Sequence, residues 1–145
     1  MNEVLNKQQT ARWLIHVIAN DAAKTFDSEL KKHGLTIALW PTLMCLWEKE
    51  GVTQRAIAQK SKVENSTTTR TLDKLERLGL IERRLDPNSR RSFNIYLTDN
   101  ARAIQEDLLP IPVQVNQQYL SILEPDEQKE IRRLLQKMVS RIELD

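Results

Sequence analysis

The residues of this chain with chemistry to offer fall in two short stretches. The first, "ENSTTTRTLDK" (64–74), places four hydroxyl side chains, Ser66 to Thr69, ahead of Arg70 and Lys74. Small hydroxyls let a helix approach a phosphate-lined groove closely, and an arginine can read a guanine edge with two parallel hydrogen bonds. The second, "DPNSRRS" (86–92), sets Arg90 and Arg91 beside turn-forming residues. Arginine is drawn into a narrow minor groove by its negative potential. Both stretches point to recognition of a polyanion. Each also has a structural explanation: hydroxyls that continue a helix cap with a solvated arginine behind them, and basic residues that keep a hairpin soluble and discourage edge pairing.

Bond-making chemistry finds no such footing. There is no nucleophile with a base at a workable spacing, no glycine-rich phosphate loop and no carboxylate pair with a chemical reason. The two histidines, His16 and His33, are too far apart on one helix to share a metal, so neither a metal nor another cofactor is expected. The single cysteine, Cys45, cannot form an internal disulfide and lies between Met44 and Leu46, where a small inert hydrophobe is the expected role. An enzyme is not expected.

Charge is unevenly distributed. Residues 53–98 hold ten Lys or Arg against five Asp or Glu, a net of +5, and the remainder hold twelve against fifteen, a net of −3. A basic middle between acidic ends is the electrostatic footprint of a polyanion binder. The N-terminus lacks the pattern of a secretory signal, and no apolar run approaches the roughly 18 residues that span a bilayer, so a cytoplasmic protein with no membrane partner is expected.

Helices must position most of these residues. Ala11, Leu14, Ile15, Ile18, Ala22, Phe26 and Leu30 recur at three and four spacing, which predicts a long amphipathic helix over 6–33 stopped by Gly34. Thr36 is positioned to cap a second helix carrying Trp40, Leu43, Met44, Leu46 and Trp47, with Pro41 demanding an irregular first turn or a start near Pro41. Thr53 caps a helix of about two turns with Ile57 and Ala58 inward. Asn65 or Ser66 then caps a longer one, with Leu72, Leu75 and Gly79 on one face and Ser66, Thr67, Arg70, Asp73, Lys74 and Arg77 on the other. Short helix, tight turn and longer helix form a helix-turn-helix. "LIERRL" and "SFNIYLT" read as strands joined by "DPNSRR" into a hairpin. Thr98 caps a helix from Asp99 to about Leu123, kinked by Pro110 and Pro112, and a final helix carries Ile131, Leu134, Leu135, Met138, Val139 and Ile142 on one stripe.

The run "STTTRTLDKLERLGLIERRLDPNSRRSFNIYLTDNA" resembles the winged helix-turn-helix core of the MarR (multiple antibiotic resistance regulator) family, and is most similar to its SlyA-type members. The resemblance implies a mainly α (α+β) fold, with 35–98 as a winged helix-turn-helix DNA-binding domain. It also implies that 1–34 and 99–145 form the helices of an intertwined dimerisation domain. It implies a regulator, a repressor, that binds a palindromic double-stranded DNA operator as a homodimer. The candidate DNA surface comprises Thr53, Gln54 and Arg55, then Asn65, Ser66, Thr67, Thr69, Arg70 and Lys74 on the recognition helix, then Arg90 and Arg91 on the wing. Family members commonly carry an acidic residue two positions before the wing arginine; Ser89 stands there, leaving Asp86 as the substitute. The resemblance also implies a site for a small aromatic or phenolic effector near Trp13, His16 and Trp40. Two other readings remain: a winged helix that binds an acidic protein, and a dimer whose function is to bind a small ligand.

Overall fold

The computed structural model describes residues 10–142, apart from the side chain of Arg90. The predicted start of the first helix, over 6–9, lies outside the described residues. Its elements run α1 (Ala11–Lys31), a 3-10 turn (Ile37–Leu39), α2 (Trp40–Glu48), β1 (Val52–Thr53), α3 (Gln54–Ser61), α4 (Asn65–Arg77), β2 (Ile81–Asp86), β3 (Ser89–Leu97), α5 (Asp99–Leu108), α6 (Pro110–Leu120) and α7 (Pro125–Val139). They divide into a helical unit, up to Lys32 and from Pro110 onward, and a winged unit over His33–Leu109.

In the winged unit, the three-stranded antiparallel sheet has the order β1-β3-β2. β2 and β3 form the hairpin, with Ile81 opposite Leu97, Arg83 opposite Ile95 and Leu85 opposite Phe93. β1 adds only Val52 and Thr53, opposite Ile95 and Asn94. Two residues are too few to carry a strand periodicity, so this strand is not foreseen from the sequence. The inward side chains Leu43, Leu46, Ile57, Leu72, Leu75, Ile81 and Ile95 are almost completely buried. Burying each such side chain contributes about 1.5–3 kcal/mol before entropy is counted.

Proline sets two helix starts. The chain passes through the 3-10 turn before α2, and Pro41 sits in the first turn of α2. There its missing N–H costs nothing, because first-turn amides have no intrahelical partner. The same logic divides the helix expected over 99–123: α5 ends at Leu108 and α6 begins at Pro110, so the expected kink is a full break. Thr98 caps α5 as expected, its Oγ1 accepting from Ala101 N at 3.3 Å. α5 packs as part of the winged unit, which runs to Leu109. Ala101 and Leu108 of α5 are fully buried, Thr98 N donates to Leu80 O, and Arg102 pairs with Glu50, all within the winged unit.

In the helical unit, Thr10 caps α1, its Oγ1 accepting from Trp13 N. α1 and α6 pack together, and the Tyr119 hydroxyl donates to Asp21 Oδ2, which pushes the phenol's pKa up. Ile111 and Val115 are buried. α7 has no buried side chain, and Ile131, Leu134, Leu135, Met138 and Val139 are all exposed along its apolar stripe.

Candidate nucleic-acid interface

α3 and α4 are joined by a turn in which Lys62 adopts φ 56°, and Val63 N donates back to Ala58 O. Thr53 caps α3 as expected, accepting from Ala56 N at 3.2 Å. At α4 the expectation fails by one residue. Glu64 takes the cap position without a side-chain bond, and Asn65 is the first helical residue.

Leu72, Leu75 and Thr68 bury the inner side of α4, leaving Ser66, Thr67, Arg70, Lys74 and Arg77 exposed. Thr68, one of the four hydroxyls, is turned inward, its Oγ1 donating to Glu64 O. Thr69 is half-buried and donates to Asn65 O. Among the described residues, no ion pair engages Arg55, Arg70, Lys74, Arg77 or Arg91.

Gln54 is placed differently from a free reader of bases. Its Nε2 donates to Asn65 O, Asn65 Oδ1 and Thr69 Oγ1, tying the start of α3 to the first turn of α4. Arg55 is exposed and lines an open depression of about 360 Å³ with Ala58, Gln59, Val63 and Asn65. The structure thus brings Gln54, Asn65 and Thr69 into one hydrogen-bonded cluster and leaves Ser66, Thr67, Arg70 and Lys74 on the open face.

The wing turn is shorter than "DPNSRR" suggests. Asp86 already pairs with Ser89, and Pro87 and Asn88 alone form the turn, held by Asn88 N donating to the Asp86 carboxylate at 2.9 Å. Arg90 and Arg91 lie in β3, beside a register irregularity between Leu85 and Asp86. Arg91 is exposed. The Arg90 side chain lies outside the described residues. Asp86 therefore spends its carboxylate on the turn and forms no ion pair with Arg91 among the described residues.

Three features of the wing root escape sequence reasoning. Arg83 of β2 reaches α4, with Nη2 2.7 Å from Asp73 Oδ1 and Nη1 3.3 Å from Glu76 Oε1. Arg84, on the other face, lies 4.1 Å above the Tyr96 ring and pairs with Glu82. Glu50 accepts from Leu97 N and from Arg102. The signal for the first was present: Asp73 and Glu76 stand one helical turn apart, followed by a basic strand. Which of the two adjacent arginines faces the helix depends on strand register.

Trp40 meets Trp47 edge to face, with ring centroids 5.6 Å apart, and the buried Trp47 Nε1 has no hydrogen-bond partner among the described residues. Trp13 is half-buried and His16 exposed, both on α1. Cys45 is buried, and burial pushes its thiol pKa up, partly offset by Lys60. No group of side chains suited to a metal is present among the described residues. No helix among them is long and apolar enough to cross a membrane.

A short helix, a tight turn, a helix with a bare polar face and an adjacent β-hairpin define a winged helix-turn-helix domain. Residues 35–93 match the MarR family. It is 29% identical over 98 residues to the HTH-type transcriptional regulator TtmR of Methylorubrum extorquens, covering 68% of this chain but only half the length of that protein. It is 27% identical over 131 residues to the HTH-type transcriptional regulator BilQ of Clostridium symbiosum, covering 90% of this chain and 91% of the relative. Both relatives are named as transcriptional regulators and not as enzymes. Among solved structures, the S. aureus MepR–DNA complex is similar with a TM-score of 0.80 and 28% identity, over 92% of this chain and 98% of that one.

Proposed function

We propose that this chain is a sequence-specific DNA-binding transcriptional regulator of the SlyA type. It acts in the cytoplasm as a homodimeric repressor on a palindromic operator. The observation that carries the reading is the exposed face of α4. Arg70, Lys74 and Arg77 stand there beside Ser66 and Thr67, without ion-pair partners among the described residues, while the acids of the same helix are drawn toward Arg83. Such a face suits a major groove: hydroxyls and lysine on phosphates, Arg70 on a base edge, and Arg91 of the wing on the neighbouring minor groove. The MepR–DNA complex, a likeness over nearly the whole chain, supports the same reading.

Dimerisation is supported by the helical unit. Leu14, Ile15, Val17 and Ile18 of α1 and Ile131, Leu134, Leu135, Met138 and Val139 of α7 are 37–51% exposed, more apolar surface than a lone protein leaves in water without a use. A symmetric dimer would set two recognition helices about one DNA turn apart, near 34 Å. A phenolic effector acting through Trp13, His16 or Trp40 would alter that spacing and release the operator.

Selection from a random duplex library followed by fluorescence anisotropy tests the reading. We expect an inverted repeat to be enriched and Arg70→Ala to lose about 1–3 kcal/mol of binding with relaxed preference at one base pair. Enrichment of no sequence would refute it. Sedimentation of Leu135→Lys with Met138→Lys should give monomers where the parent gives dimers. Quenching of tryptophan fluorescence by simple phenols, with a parallel loss of operator affinity, tests the effector.

A further inference from the structure

Asp73 and Glu76 are out of keeping with a helix that meets phosphates. Asp73 lies between Arg70 and Lys74 in sequence, at the border of the exposed face, and its side chain is 52% exposed. Three residues on, Glu76 occupies the same flank. Two carboxylates there would repel the DNA backbone that Arg70, Lys74 and Arg77 attract.

We propose that Arg83 is a positioning residue for DNA recognition, covering both carboxylates and fixing the root of the wing to the recognition helix. The inference rests on the DNA-binding reading. Its guanidinium spans the pair, Nη2 to Asp73 and Nη1 to Glu76, and it is only 18% exposed, unlike most of the arginines around it. Strand alternation places it on the same face of β2 as the buried Ile81, the face that packs on α4. A planar fork with several donors can hold two separate carboxylates at once; an ammonium is a single point charge. Because Arg83 sits opposite Ile95, midway along the hairpin, the same contact restrains the strand that carries Arg91. Arg83 touches no nucleic acid in this account. It acts through the two acids, and that distinguishes it from a phosphate-binding arginine.

The test is binding of the full chain to a fluorescent random-sequence duplex pool at low salt, where affinity is governed by charge. Arg83→Ala should bind about three- to tenfold more weakly, as two partly screened negative charges are uncovered. Arg83→Lys should recover part of the loss. The combination of Arg83→Ala with Asp73→Asn and Glu76→Gln should bind at least as tightly as the parent, because no acid remains to be covered. A merely structural arginine, or one that grips phosphate itself, predicts that Arg83→Ala costs the same factor with the two acids neutralised as with them present, and that result would overturn the proposal while leaving the DNA-binding reading intact. Asp73→Asn with Glu76→Gln in the parent background supplies the reference for the triple variant, and should Arg83→Ala not fold by circular dichroism, Arg83→Gln takes its place in the same comparison. Failure of the parent chain to bind the pool at all would remove the DNA-binding reading, and the proposal with it.

Discussion

Replacing Gln54 by alanine separates two roles that sequence reasoning alone leaves merged. The residue belongs to the expected DNA surface, yet its amide is directed at the recognition helix. Two N–H protons serve three acceptors, Asn65 O at 3.3 Å, Asn65 Oδ1 at 3.1 Å and Thr69 Oγ1, so at most two full hydrogen bonds form at once. A net hydrogen bond contributes about 0.5–1.5 kcal/mol, and the Asn65 contacts are exposed, which favours the lower half of that range; Gln54→Ala should therefore cost about 1–2 kcal/mol. Gln54→Glu should cost more. A carboxylate presents only acceptors and leaves Asn65 O without the Gln54 donor, and it could be satisfied only by turning the Asn65 amide over or by drawing the Thr69 hydroxyl away from Asn65 O. The assay is urea unfolding followed by circular dichroism at fixed protein concentration, since association would shift the midpoint. Anisotropy on the selected operator and on the random pool runs beside it. If Gln54 positions α4, stability falls and affinity for both duplexes falls by a similar factor. Unchanged stability with relaxed preference at a single base pair would refute this reasoning and return Gln54 to the base-reading set.

Two further outcomes follow from the same geometry. Thr98 caps α5 and donates its hydroxyl to Gly79 O at 2.6 Å, linking the end of the recognition helix to the end of the wing. Thr98→Ala should therefore lose about 2 kcal/mol in urea unfolding, the sum of a cap and a hydrogen bond, whereas Thr98→Ser, which keeps both, should stay within about 0.5 kcal/mol of the parent. Cys45 should alkylate more slowly than a free thiol at pH 8 and speed up sharply in urea, because burial raises its pKa above the ordinary 9.0. A folded-state pKa above the unfolded one means that the native state holds the proton more tightly. The stabilising contribution is then complete below pH 9 and fades as pH rises past it, an effect absent from Cys45→Ala.

Most of the secondary structure could be read from local rules. Thr53 and Thr98 cap helices because a threonine hydroxyl accepts a first-turn amide wherever the chain enters a helix, and Pro41 begins α2 because a first-turn amide has no partner to lose. Gly79 turns the chain from α4 into β2 at φ +74°, a conformation that costs a residue with a Cβ and not glycine. The charged face of α4 was equally legible, since a 3.6-residue period sorts Leu72 and Leu75 from Arg70 and Lys74 without knowledge of what lies beneath. At Pro110 the chain breaks where the sequence predicts a kink, because whether a helix bends or restarts depends on what each half packs against. Ala101 and Leu108 bind α5 into the winged unit.

What the sequence by itself determined, then, is a helix-turn-helix followed by a basic hairpin, together with the side chains that face outward. Periodicity, caps and turn formers act over a few residues and leave their trace in order. The tertiary structure alone decided which polar side chains remain free to meet a ligand and which are spent within the fold. Gln54 and Thr69 lie fifteen positions apart and Arg83 and Asp73 ten, distances at which neither helical nor strand periodicity carries information. A hydrogen bond or ion pair across such a gap exists only once packing has fixed the separation of two elements to within about 3 Å, and that separation is a property of the assembled core.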